Sequence, residues 1–219
     1  MSEETTTVSE TPENSAPEAV TQDPTGKTTS KKNAFWKELL SYIEIFAVAF
    51  VIAYILTHFL IINCKVPTGS MLDTIQLNDR IIGSRLSYIN SSPERGDIVI
   101  FPFPDNESKI YIKRVIGLPG ETIEVRDGRV YINGSDTPLE EPYLKDEYLI
   151  GSRDFGPYTI PEGSYFMLGD HRNNSADSRV WNNTCVQEDK IMGKALFIYY
   201  PFNHITWLDQ DYDYITEIE

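Results

Sequence analysis

The sequence predicts a mainly β domain carried behind one N-terminal transmembrane helix, and three observations say so. Residues 45–56 form an unbroken apolar run, which continues through Thr57 and His58 to Ile62. Beyond it, short alternating or wholly apolar runs recur between turn residues, which is the pattern of strands. No later stretch keeps a helical period for more than one or two turns, around residues 71–77.

The 219 residues divide by composition into three parts. Residues 1–35 are rich in Thr, Ser, Glu and Pro and nearly free of apolar side chains. Such a chain cannot bury enough surface to offset its ordering entropy, so a disordered acidic tail is expected. Residues 36–64 are read as the anchor, since about 20 apolar residues cross a bilayer core as a helix. Trp36 and Tyr42 suit the headgroup region, and Glu44 and His58 lie near the two ends. Lys27, Lys31, Lys32 and Lys37 precede the span, whereas only Lys65 and Arg80 follow closely. The positive-inside rule therefore puts the N-terminus in the cytoplasm and residues 65–219 outside. Ile61-Ile62-Asn63 offers no small residues for signal cleavage, and Cys64 lacks the small neighbours of a lipoprotein site, so the anchor is expected to stay uncleaved.

Residues 65–219 hold enough chain for a core of their own. Strands are expected near 80–83, 97–101, 110–116, 122–125, 130–132, 164–168 and 195–200. Asp127-Gly128 reads as a hairpin turn, Asn133-Gly134 marks a second turn, and Pro102, Pro104 and Pro119 read as strand ends. This part carries 15 Lys and Arg against 25 Asp and Glu, a net charge of −10, which argues against nucleic acid as a partner. Cys64 and Cys185 are the two cysteines, and one stands at the membrane boundary, so no disulfide is expected. No two-histidine helix or cysteine cluster suggests a metal, and no cofactor is expected.

Ser70 lies in the turn Pro67-Thr68-Gly69-Ser70-Met71, and Lys113 lies in the apolar strand pattern Ile110-Tyr111-Ile112-Lys113-Arg114-Val115-Ile116-Gly117. A serine needs a base to become a nucleophile, and a desolvated lysine can be that base. A third stretch, Gly169-Asp170-His171-Arg172-Asn173-Asn174-Ser175-Ala176-Asp177-Ser178-Arg179, is dense in hydroxyls, amides and opposite charges, as a buried polar network would be.

Taken together and in this order, with Leu77-Asn78-Asp79-Arg80-Ile81 and Gly96-Asp97-Ile98-Val99 between them, these stretches resemble the boxes of the bacterial type I signal peptidases. The resemblance runs from the anchor to about Tyr200. It implies an antiparallel, signal-peptidase-like β domain and a membrane-bound serine endopeptidase that removes signal peptides from exported preproteins. By the same resemblance, Ser70 attacks, neutral Lys113 shuttles the proton, Ser175 orients the lysine, and the Ser70 N–H and the Thr68 hydroxyl meet the oxyanion. Arg114, Asp170, Asp177 and Arg179 are expected in structural ion pairs, with Arg114 on Asp170. The substrate is expected to lie extended against a strand edge, with small side chains at the first and third positions before the cut. The expected location is the plasma membrane, single-pass, with the bilayer and signal-peptide-bearing preproteins as partners.

Two positions depart from the family's pattern. Thr68 replaces a common serine and keeps a hydroxyl; Asp73 replaces a common proline and is expected to point away from Lys113, where it would favour the charged ammonium. A Ser-His-Asp mechanism finds no suitable histidine among His58, His171 and His204. Self-cleaving repressors also use serine and lysine, but they act on DNA in the cytoplasm. The alternative from another class is a catalytically silent, membrane-tethered signal-peptide-binding protein. Phe197, Tyr199, Tyr200, Phe202 and Trp207 are divided between core and membrane-surface roles, and 209–219 is read as a solvated tail.

Overall fold

The computed structural model describes residues 31–208. The acidic tail up to residue 30 and the C-terminal acidic end from 209 lie outside the described residues. The described residues fall into two compact units, which divide between Val48 and Ala49.

The helix α1, Lys31–Ile55, is apolar on all sides from Ile45 onward, as a lipid-facing helix would be, and is followed by a wider π-type turn over Leu56–Leu60. Phe35–Leu60 is long and apolar enough to cross a membrane, and none of its most apolar stretch is buried in protein. The run read as one span does not stay helical to residue 64. Ile61–Lys65 is instead strand β1, because Ile62 turns into the core and the backbone pairs with β2, Arg80–Ser84.

The remaining strands are β3 (Ile98–Phe103), β4 (Asn106–Gly117), β5 (Thr122–Arg126), β6 (Arg129–Ile132), β7 (Phe155–Thr159), β8 (Ser164–Leu168), β9 (Val186–Gln187), β10 (Gly193–Tyr200) and β11 (Thr206–Trp207). They form one sheet in the order β1-β2-β10-β3-β4-β8-β9, with β11 on β10, and a three-stranded sheet β6-β5-β7. Every pairing is antiparallel.

Strand β3 reads Ile-Val-Ile-Phe because both of its faces are covered. Ile98 and Ile100 enter a cluster with Met71, Ile75, Ile81 and Ile198, whereas Val99 and Phe101 pack with Val115, Tyr165, Met167 and Trp181. Each such fully buried side chain contributes roughly 1.5–3 kcal/mol. Asp127 and Gly128, at φ 51° and 78°, make the expected hairpin turn between β5 and β6. Pro102 does not end β3; it sits where the β3–β4 register becomes irregular. The helical period near 71–77 amounts to one turn, closed by the Ile75 N–H on the Met71 carbonyl at 2.8 Å. Of the late aromatics, Phe197 and Tyr199 are half-buried, whereas Tyr200, Phe202 and Trp207 stay exposed. These three are of the kind that suits a lipid interface.

Candidate active site

Strand β4 delivers two neighbouring cations in opposite directions, since successive side chains leave a strand on alternate faces. Lys113 sits opposite Val99 and Arg114 opposite Ile98 on β3. Strand β8 pairs with β4 only from Arg114 onward, so the earlier part of β4 is bonded to β3 alone.

The turn after β1 brings Ser70 to Lys113. Lys113 Nζ donates to Ser70 Oγ at 2.5 Å and to the Ile112 carbonyl at 3.2 Å. Lys113 is 3% exposed. Burial drives its pKa down from 10.5 to about 8, against the opposing pull of the Asp177 and Asp170 carboxylates. Ser70 is half-buried and lines a cleft of about 350 Å³ together with Cys64, Val66, Thr68, Tyr111, Ile112, Lys113 and Ala176. Cys64 is a free thiol, and burial raises its pKa to about 11, which leaves it a poor nucleophile. Cys185 is also free.

The third loop underlies this pair. Arg114 holds Asp170 through two bonds, of 3.0 and 2.7 Å, and also donates to the Gly96 carbonyl at 2.8 Å. Asp170 accepts a further bond from the Thr74 hydroxyl at 2.5 Å, which ties it to the segment following Ser70. Arg179 holds Asp177 at 2.8 Å on both carboxylate oxygens, and Asp177 accepts the Gly169 N–H at 3.1 Å. Gly169 allows this loop to pass closely under the nucleophile: a Cβ there would lie 2.4 Å from the Ser70 carbonyl and 2.2 Å from Ser175 Oγ.

One expected contact is not made. Ser175 does not hydrogen-bond Lys113, whose bonds go to Ser70 and Ile112, and the buried Ser175 hydroxyl has no partner among the described residues. Asp73 does turn elsewhere. Its carboxylate pairs with Lys145 and accepts a bond from the Tyr148 hydroxyl at 3.1 Å; the Lys145 bond is the main reason its pKa falls below the usual value. His171 hydrogen-bonds the Gly69 carbonyl at 3.1 Å rather than a serine hydroxyl, and His204 bonds Asp79 at 2.9 Å.

Sequence reasoning missed a third buried ion pair, between Arg172 and Glu141, in which both side chains are almost fully enclosed. Arg172 also donates to the Gly128 carbonyl at 3.0 Å, so it pins the hairpin of the smaller sheet to the third loop. A charged residue inside a polar box was the one available signal; nothing near Glu141 marks it as its partner. Among the described residues, no group of three or more His, Cys, Asp and Glu side chains is assembled that could hold a metal ion.

The profile of the family described as signal peptidase, peptidase S26, matches residues 39–200. Signal peptidase I of Leptolyngbya laminosa is 41% identical over 147 residues, covering 64% of this chain and 69% of its own. Signal peptidase I T of Bacillus subtilis (strain 168) is 37% identical over 191 residues, covering 82% of this chain and 96% of its own. A crystal structure of a signal peptidase I from Enterococcus faecalis V583 is 39% identical and aligns with 48% of this chain and 97% of its own, at a TM-score of 0.41.

Proposed function

The chain belongs to the signal peptidase, peptidase S26, family, and on that premise we propose that Ser70 and Lys113 are its catalytic dyad. It is a membrane-anchored peptidase that cleaves signal peptides from preproteins. One observation carries the dyad: a lysine buried to 3% exposure, its pKa brought to about 8, with its Nζ 2.5 Å from the Ser70 hydroxyl.

In the first step Ser70 Oγ bonds to the scissile carbonyl carbon while its proton passes to Lys113 Nζ. The carbonyl oxygen becomes an oxyanion, which the Ser70 N–H and the Thr68 hydroxyl meet; one such donor lowers the barrier by roughly 2.7–4 kcal/mol. As the C–N bond breaks, Lys113 returns the proton to the leaving amine. Water then attacks the acyl-enzyme with Lys113 again as base, and Ser70 is regenerated. Once Oγ has left for the carbonyl carbon, the Lys113 ammonium needs another acceptor, and the unclaimed Ser175 hydroxyl is proposed to take that part.

The substrate is proposed to enter as an extended strand between the segment 65–69 and the part of β4 that β8 does not reach, with small side chains at the first and third positions before the cut. The lysines before the span put the N-terminus in the cytoplasm and residues 65–219 outside the cell in this reading.

The test takes sealed right-side-out vesicles and an added preprotein bearing an Ala-x-Ala site, with the new N-terminus read by mass spectrometry. Cutting after that site from the outer face is the expected result. Binding without cutting identifies the silent binding protein instead, and cutting only after the vesicles are opened reverses the orientation.

A further inference from the structure

We infer that Asp73, Lys145, Tyr148 and His171 form a brace that fixes the nucleophile turn, and that they are positioning residues for the reaction just proposed. The inference rests on that reading of Ser70.

The brace is a closed ring of contacts. His171 Nδ1–H donates to the Gly69 carbonyl at 3.1 Å, and the His171 backbone N–H donates to the Ser70 carbonyl at 3.1 Å. Both carbonyls flank the Ser70 N–H proposed for the oxyanion, so His171 sets the tilt of the peptides that carry it. The Tyr148 ring lies 4.1 Å from the imidazole, centre to centre, and limits its swing. The Tyr148 hydroxyl in turn reaches Asp73 at 3.1 Å, and Lys145 closes on the same carboxylate. Asp73 lies three residues after Ser70, so the ring returns to the turn where it started.

A second tether holds the outer arm in place. Lys145 precedes and Tyr148 ends the short helical turn Asp146–Tyr148, and Asn173 Nδ2 donates to the Glu147 carbonyl at 3.1 Å and the Ile150 carbonyl at 3.0 Å. The insert between β6 and β7 is thus tied to the third loop on one side and to the nucleophile turn on the other. Asp73 is the position that departs from the family's common proline, and here its side chain gives the turn a partner that proline lacks.

Lys145 and Asp73 are about half exposed, and such a pair adds little to stability. Its loss is therefore expected to move the turn rather than unfold the domain. Oxyanion donors act only when aimed at the developing charge, so a tilt of the Gly69–Ser70 peptides lowers kcat and leaves KM nearly unchanged.

The test uses the full-length, detergent-solubilised protein and a preprotein substrate. Tyr148→Ala and His171→Ala are each expected to lower kcat about tenfold at unchanged KM and near-wild-type melting temperature, with the double variant no worse than either. His171→Asn places an amide nitrogen where the imidazole Nδ1 stands, and is expected to restore most of the kcat that His171→Ala loses. Hydrogen exchange over residues 68–73 is expected to quicken in Tyr148→Ala and in Asp73→Asn. Wild-type kcat in both alanine variants, or unchanged exchange, overturns the brace. Complete loss in His171→Ala that His171→Asn does not rescue overturns it too, in favour of a histidine base. A wild-type protein that never cuts defeats the dyad reading, and the exchange measurement then decides the brace by itself.

Discussion

Lys113→Met is expected to lower kcat by roughly 10²–10⁴-fold, the usual worth of a general base, and to make the folded protein more stable. The two effects have one cause. Burial takes the Lys113 pKa from 10.5 to about 8, so the folded state holds this cation at a cost of roughly 3 kcal/mol when it is charged. Below pH 8 both folded and unfolded chains are protonated here, and the whole cost is present. Between pH 8 and 10.5 the folded chain has released the proton and the unfolded chain has not, so stability rises with pH. Above 10.5 the cost is gone. Methionine keeps the unbranched stem without the charge, so its advantage is greatest below pH 8 and vanishes above 10.5. Circular dichroism melts at pH 6.5 and pH 11 read the difference, which is expected to be several degrees at the lower pH. Ser70→Ala is expected to cost as much activity as Lys113→Met, and the double variant no more, because the two groups act as a unit. A Lys113→Met protein that melts lower at pH 6.5 would show that the lysine is not held against its hydration.

The second large effect is structural. Arg114→Ala is expected to destabilise the domain by about 3–5 kcal/mol, because Asp170 is left enclosed at 1% exposure without its guanidinium. Activity falls with the folded fraction, so the single variant by itself imitates a catalytic lesion. The paired change Arg114→Met with Asp170→Leu removes both charges and is expected to recover most of the lost stability. If Arg114 and Asp170 serve only to hold the loop, cleavage returns with the fold. The midpoint of its pH dependence then moves down, since Asp170 is one of the two carboxylates that raise the Lys113 pKa. A well-folded pair with no cleavage would give one of them a part in the chemistry.

What the sequence disclosed follows the range of the forces involved. Strand β3 and the β5–β6 hairpin were legible because Ile-Val-Ile-Phe and Asp127-Gly128 carry their own local signals. The seven strands expected from runs and turns are all present, within a few residues at their ends. Strand β1 was not legible, since Ile61 and Ile62 continue the apolar run of the span without a break. Strand β7 was hidden by Gly156-Pro157, which reads as a turn, and the first part of β4 by the polar Asn106-Glu107-Ser108-Lys109. Ser70 and Lys113 could be paired in advance because three motifs in fixed order point to them. Their distance, the burial of the lysine and the unmet Ser175 hydroxyl needed the fold. The Arg172–Glu141 pair and the contacts of Asp73 join segments far apart in sequence, and pairing across such separations leaves no local pattern to read.

If a lysine made neutral by burial activates Ser70, as proposed, the pH dependence of kcat/KM for preprotein cleavage by the wild-type protein carries its signature. That profile reports the ionisation of the free enzyme's essential base. The expected result is a tenfold rise per pH unit that levels off above about pH 8, where Lys113 has released its proton. A profile that is flat across that range, or that levels near 6.5 as a histidine base would make it, would contradict it.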